Sequence, residues 1–227
     1  AAIEAAENGV RTIILEKAKT DRSGHSGMGM DHVMDFPREG VSNLDYVKFF
    51  MGRHELLGGP GALMNPNVGY ILGAKSWWAL DHMNRWGYPM RWEDTEDYHW
   101  VRNGWFGKKI MIGVHWLDVK PVMAKKCREV GVQVLDRTMM VDLLTDPNGK
   151  VCGAVGFHVP SGAIIVCHAK AVVMCMGGGC YKPTGFPVGG VTFDGEYIAY
   201  NLGLPIAGKE FDDFHMTCSW APGNAFV

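Results

Sequence analysis

The sequence predicts an α/β fold in which the second half of a βαβ unit opens the chain and an antiparallel β-meander lies past its middle. Three observations predict it. A helix that stops at a glycine feeds at once into an apolar strand ending in an acid, Glu16. Two strong turn signals, Asp146-Pro147-Asn148-Gly149 and Pro160-Ser161-Gly162, divide a β-rich stretch into short strands. An apolar run, Ala171 to Met176, then leads directly into Gly177-Gly178-Gly179.

Taken in order, residues 1–8 read as the tail of a helix with Ile3 and Ala6 on one face and Gly9 as its stop. Val10 to Leu15 is the apolar strand, and the first strand and glycine-rich turn of such a unit would precede Ala1. The expectation is therefore a fold lacking both. Ser23 to Gly29 is a loop of small residues. Ser42 with Asp45 forms a capping-box-like helix start, followed by Leu44, Val47, Phe50 and Met51 at helical spacing. A second helix runs from near Asn67 to Trp86, closed by Gly87 and Pro89. Arg91 to Trp116 shows no clear period and reads as irregular. Leu117 to Val130 is helical, with Pro121 in its first turn and Gly131 at its end. Val132 to Leu144, Lys150 to Val159 and Ala163 to His168 make the meander, and Ala171 to Met176 reads as a buried strand.

Composition excludes several classes of protein. The 227 residues are 47% hydrophobic and 20% charged with a net charge of -2, which rules out disorder, collagen and coiled coil. A near-neutral balance without a Lys/Arg cluster gives no footprint for nucleic acid or an anionic membrane. No apolar run approaches the roughly 20 residues of a membrane span, and no secretory signal is visible. The six cysteines contain no C-x-x-C pair, and apolar neighbours around Cys175 point to buried, reduced thiols and hence to a cytoplasmic setting. The eight tryptophans lack basic interleaving, so core packing or a subunit interface explains them better than base stacking. His54, His82 and His99 have no metal-ligand spacing and read as surface groups.

Two constellations point to a ligand. A carboxylate at a strand end, as Glu16 provides, can accept both hydroxyl hydrogens of an adenosine ribose, although the G-x-G-x-x-G that would make the signal specific is absent here. Gly177-Gly178-Gly179 after an apolar strand lets a flat or anionic ligand approach the backbone.

The chain resembles the flavoprotein subunits of fumarate reductase, succinate dehydrogenase and adenylylsulfate reductase, one family of FAD-dependent oxidoreductases. The residues that carry the resemblance are Ile14-Leu15-Glu16-Lys17, Asp21-Arg22-Ser23-Gly24, the meander with the run from Ala169 to Gly179, Thr192-Phe193-Asp194-Gly195 and Asp213-Phe214-His215-Met216-Thr217. Their order and spacing match over nearly the whole chain. The resemblance implies a Rossmann-like FAD-binding domain over 1–212, N-terminally incomplete, and the start of a substrate or capping domain over 213–227.

The resemblance also implies roles. Glu16 would bind the adenosine ribose of FAD, with Lys17 beside it in the cofactor site. Arg22, Ser23 and Gly24 would lie in the loop passing the pyrophosphate and flavin. The strand around Met140 would offer backbone groups to the adenine, Gly177 and Gly178 would line the cofactor, and Asp194 would lie near the flavin. His215 would orient a substrate carboxylate, the general acid lying beyond Val227. Phe193 stands where the family's T-G-D-G motif has glycine, and Met216 where F-H-P-T has proline. Members that bind flavin covalently read R-S-H; here the order is Arg22-Ser23-Gly24-His25, which implies non-covalent FAD. The implied substrate is a small anion, either a dicarboxylate or adenylyl sulfate, and the implied partner is an iron–sulfur subunit. A nonenzymatic binding module retaining the fold is the alternative outside the enzyme class.

Overall fold

The computed structural model describes residues 1–24, 32–33, 41–48, 65–88, 90–92, 94, 97–102, 109–113, 118–179 and 192–207. In chain order its elements are α1 (Ala2–Glu7), β1 (Ile13–Leu15), β2 (His32–Val33), α2 (Pro66–Arg85), β3 (Trp100–Arg102), β4 (Lys109–Gly113), α3 (Val119–Glu129), β5 (Gln133–Leu135), β6 (Thr138–Thr145), β7 (Val151–His158), β8 (Ile164–His168) and α4 (Asp194–Asn201). A further helical stretch covers 43–48. The described residues group into two compact units, the first drawn from 1–29 and 119–206 and the second from 30–118 and residue 207. The expected boundary at 212/213 lies outside the described residues. Among the described residues no helix is long and apolar enough to cross a membrane.

In the first unit α1 ends at Gly9, whose φ of +77° needs no Cβ to be accommodated. Ile3 of α1 and Ala124 and Cys127 of α3 are buried, and Lys126 of α3 pairs with Glu7 at 3.2 Å. The chain then enters β1, which pairs in parallel with β5, Ile13 opposite Gln133 and Leu15 opposite Leu135. A parallel pair requires a crossover, and α3 supplies the helix that leads into β5. β6, β7 and β8 form the antiparallel meander, with β7 in the centre. The Asp146 carboxylate accepts the backbone N–H groups of Asn148 and Lys150, which shapes the first turn as the sequence predicts.

Three expectations are corrected in this unit. Val132 to Leu144 is two strands in two different sheets, because the chain turns at Asp136-Arg137, where Arg137 adopts a left-handed φ of 54°. Ala171 to Met176 joins no β-ladder among the described residues, and Val173 is 70% exposed. Cys175 is accordingly exposed and not buried, while Cys152 and Cys167 are half-buried. Apolar composition foretold a strand here, but a strand needs a neighbour to bond.

In the second unit the Ser42 hydroxyl donates to Asp45 Oδ2 at 2.6 Å and accepts the Asp45 N–H at 3.1 Å, capping 43–48 as expected. The buried face is Tyr46 and Val47, whereas Leu44 is exposed; Phe50 and Met51 lie outside the described residues. α2 starts at the Asn65 cap and buries Gly69, Gly73, Ser76 and Leu80, one stripe at helical spacing. A Cβ at Gly73 would stand 2.8 Å from Tyr46 Cδ1. Gly73→Ala is expected to destabilise on balance, because overpacking of about 1–3 kcal/mol outweighs the roughly 1 kcal/mol gained in helix propensity. An unchanged denaturant midpoint would contradict that packing.

Arg91 to Trp116, expected to be irregular, contains β3 and β4, which form an antiparallel sheet with β2 in the order β2-β4-β3. A bulge between Val101 and Arg102 breaks the alternation that would have revealed it. Trp77, Tyr98 and Trp100 pack their rings 5.2–6.3 Å apart. Arg91 donates to Asp81 and to the Tyr98 hydroxyl at 2.8 Å each. These tryptophans serve packing as the sequence suggests, although Trp78 and Trp92 remain exposed. His82 stacks on Trp78 and His99 on Trp92.

Candidate functional site: a carboxylate-lined cofactor cradle

The described residues expected to hold a cofactor all belong to the first unit. Glu16 follows β1, and its backbone is fixed on both sides: its N–H donates to Leu135 O at 3.0 Å and its carbonyl accepts the Thr138 N–H at 2.8 Å. The segment beyond it is stitched to the same turn. Thr20 donates its N–H and hydroxyl to Asp136 Oδ1 at 2.8 and 2.7 Å, and Arg137 N–H donates to Ala18 O. Burial opposes ionisation of Asp136, but the Thr20 bonds and the charges of Lys19 and Arg128 outweigh it and hold the carboxyl below its ordinary range. Glu16 Oε1 accepts the Ala18 N–H at 2.8 Å. Its second oxygen has no partner among the described residues and is free to accept a further hydrogen bond.

The Thr138 bond also orients β6. Thr138 directs its N–H away from β7, and strand alternation gives Met140 the same outward direction for its N–H and C=O, on the edge where Glu16 sits. The ladder register shifts immediately after Met140. An edge with outward donor and acceptor groups can pair with a heterocycle such as adenine.

Among the described residues Gly177 and Gly178 have no atom within 4 Å of where a Cβ would lie, and Gly177 has a φ of +76°. They therefore present open backbone. Gly179 serves a different purpose: its bare Cα lies against the Phe193 ring, and its backbone bridges to Thr192. Phe193 takes the left-handed conformation, φ 59° and ψ 14°, which the family's glycine would adopt without strain. The backbone path at this position is thus kept by a residue that pays for it in local strain.

Asp194 is the first residue of α4, where the helix dipole favours a carboxylate. Its Oδ2 receives Lys17 Nζ at 2.6 Å and the Thr192 hydroxyl at 2.9 Å. Burial raises the cost of its charge, yet these bonds prevail and hold the carboxyl below its ordinary range. The structure thus brings Lys17 and Asp194 together directly. Thr192, not singled out in the sequence as a site residue, is the third member, and its position two residues before Asp194 is the only signal for it.

The remaining expected residues lie nearby in sequence or outside the described set. Ser23 Oγ accepts the Lys19 N–H at 2.7 Å and so closes its own loop, Arg22 is exposed with its backbone N–H donated to Lys19 O, and Gly24 has a φ of +80° with no described atom within 4 Å of a Cβ there. His25 and His215 lie outside the described residues.

Comparison with known proteins bears on the fold and the family. A family model described as an FAD binding domain matches residues 1–224. The fumarate reductase flavoprotein subunit of Haemophilus influenzae is 30% identical over 146 residues, 61% of this chain and 24% of that protein. L-aspartate oxidase of Pseudomonas aeruginosa is 27% identical over 143 residues, 57% of this chain and 26% of that protein. Among solved structures, adenylylsulfate reductase from Archaeoglobus fulgidus superposes with a TM-score of 0.67 at 25% identity, covering 88% of this chain and 33% of that one. A quinol fumarate reductase of Escherichia coli shares the fold at a TM-score of 0.66 and 21% identity, covering 88% of this chain and 34% of that one. The chain spans about a quarter of the length of the curated relatives it matches. The α/β architecture and the family match together define an FAD-binding flavoprotein fold. The chain belongs to the FAD-binding domain family of flavoprotein oxidoreductases, and FAD is its cofactor.

Proposed function

We propose that the protein acts within an FAD-dependent oxidoreductase of the fumarate reductase and succinate dehydrogenase kind, passing hydride or electrons between flavin and a small anionic substrate. The observation that carries the reading is the Glu16 carboxylate, fixed at the end of β1 with one oxygen satisfied and one open beside the outward edge of β6. Bound FAD supplies the redox chemistry itself. The chain's own residues bind and orient: Glu16 accepts the ribose hydroxyls, Met140 meets the adenine through its backbone, and the Arg22-Ser23-Gly24 loop passes the pyrophosphate. Gly177 and Gly178 admit the cofactor against the backbone, and Asp194 serves the flavin half. His215 orients a substrate carboxylate by a charge-assisted hydrogen bond.

The cradle in this reading is completed by a further strand and a glycine-rich turn. β1 is paired only with β5, and Ala171 to Met176 has no ladder partner, both among the described residues; no G-x-G-x-x-G occurs in the 227 residues. Gly24, where covalent members carry histidine, supports non-covalent FAD. The relatives named as flavoprotein subunits support a partner subunit for this protein, and we infer an iron–sulfur subunit in that place. A second reading, an adenylylsulfate-reductase-like flavoprotein acting on adenylyl sulfate, is favoured by the 25% identity across 88% of the chain.

The test uses the full-length protein. Its visible spectrum before and after acid precipitation should show flavin released to the supernatant. Under anaerobic conditions the reduced flavin should then be reoxidised by fumarate. Reoxidation by adenylyl sulfate and not fumarate selects the second reading. Absence of flavin, or flavin indifferent to both anions, overturns the two together.

A further inference from the structure

The side chain of Lys17 closes a triangle with two residues far along the chain. Nζ stands 2.6 Å from Asp194 Oδ2 and 2.9 Å from Thr192 Oγ1, and the Thr192 hydroxyl donates to the same Asp194 oxygen at 2.9 Å. Both donors converge on Oδ2, so Oδ1 has no partner among the described residues. The Asp194 side chain is 20% exposed, and that of Lys17 is 42% exposed. An ordinary surface ion pair is worth little and orients nothing. Here two donors on one oxygen fix the plane of the carboxylate, and the arrangement repeats that of Glu16, which also has one oxygen held by the protein and one open.

We propose that Lys17 is a positioning residue of the cofactor site: it anchors Asp194 through Oδ2 so that Oδ1 stays presented to a hydroxyl of FAD, and it ties the strand end bearing Glu16 to the start of α4. Lys17 itself makes no contact with FAD in this arrangement. The proposal rests on the FAD reading above. It explains why a lysine next to the ribose-binding acid is spent on a second carboxylate and is not left for a phosphate.

The test titrates FAD into the apo form of the full-length flavoprotein, following flavin fluorescence, with the apo-protein melting temperature recorded alongside. Lys17→Met should weaken FAD binding by about tenfold or more, since a charge-assisted bond that orients an acceptor is lost. Lys17→Arg should stay within about threefold of the parent, because the guanidinium restores a charged donor. Combining Lys17→Asp with Asp194→Lys should restore the apo melting temperature without restoring FAD affinity, because an ammonium at 194 cannot accept a hydroxyl hydrogen. The proposal is overturned if Lys17→Met binds FAD within about threefold of the parent. It is equally overturned if the swapped pair regains full affinity, since the tie alone would then suffice. A parent protein that binds no FAD would overturn the underlying reading instead.

Discussion

Gly156→Val is expected to destabilise the protein by about 3 kcal/mol and to lower its urea midpoint accordingly, because overpacking here meets backbone and not a movable side chain. Gly156 lies in β7, the central strand of the meander, opposite Met140. A Cβ there would fall on the carbonyl oxygen of Met139, which cannot withdraw without opening the β6–β7 ladder. Gly153 meets Cys167 O on the other side of β7 in the same way. The contrast is Gly178, which has nothing within 4 Å of its Cβ position among the described residues. Gly178→Val should leave the urea midpoint of the apo-protein nearly unchanged while obstructing FAD. Equal midpoints for the two variants would show that the close approach at Gly156 is not what holds the ladder.

Glu16→Gln is expected to weaken FAD binding by about 10- to 100-fold, the equivalent of one charged hydrogen bond of roughly 1.5–3 kcal/mol. The amide keeps the size of the side chain and can still accept the Ala18 N–H through its oxygen, so the β1 end should persist. What is lost is the negative charge and the second acceptor oxygen that the proposed ribose contact uses. Competition of FAD with FMN, which lacks the adenosine, separates this from a general collapse of the cradle: the variant should lose its preference for FAD. A variant that retains the parent's preference would remove Glu16 from the site.

Much of this was legible from local rules. Gly9, Gly87 and Gly131 end helices with positive φ, and the Asp146 and Pro160 turns fall where Asx chemistry and glycine require them. The place of Glu16 at a strand end was legible because it depends only on the apolar run before it. Other features depend on residues far apart. Arg137 in a left-handed conformation splits what looks like one strand, and no propensity of arginine announces that turn. Ala171 to Met176 has the composition of a buried strand, but pairing depends on a neighbour. The resemblance puts Lys17 beside Glu16 in the cofactor site, and only the folded chain reveals that it meets Thr192 and Asp194.

The Lys17–Asp194 contact joins residues 177 positions apart, and β1 meets β5 only after the whole second unit has intervened. Closing such loops costs chain entropy before any contact rewards it. The meander, whose strands follow one another through short turns, has no such delay. Topology therefore predicts that folding order runs against site order, the scaffold strands forming before the acid-bearing end of β1 is locked in place, which pulsed hydrogen exchange during refolding would check.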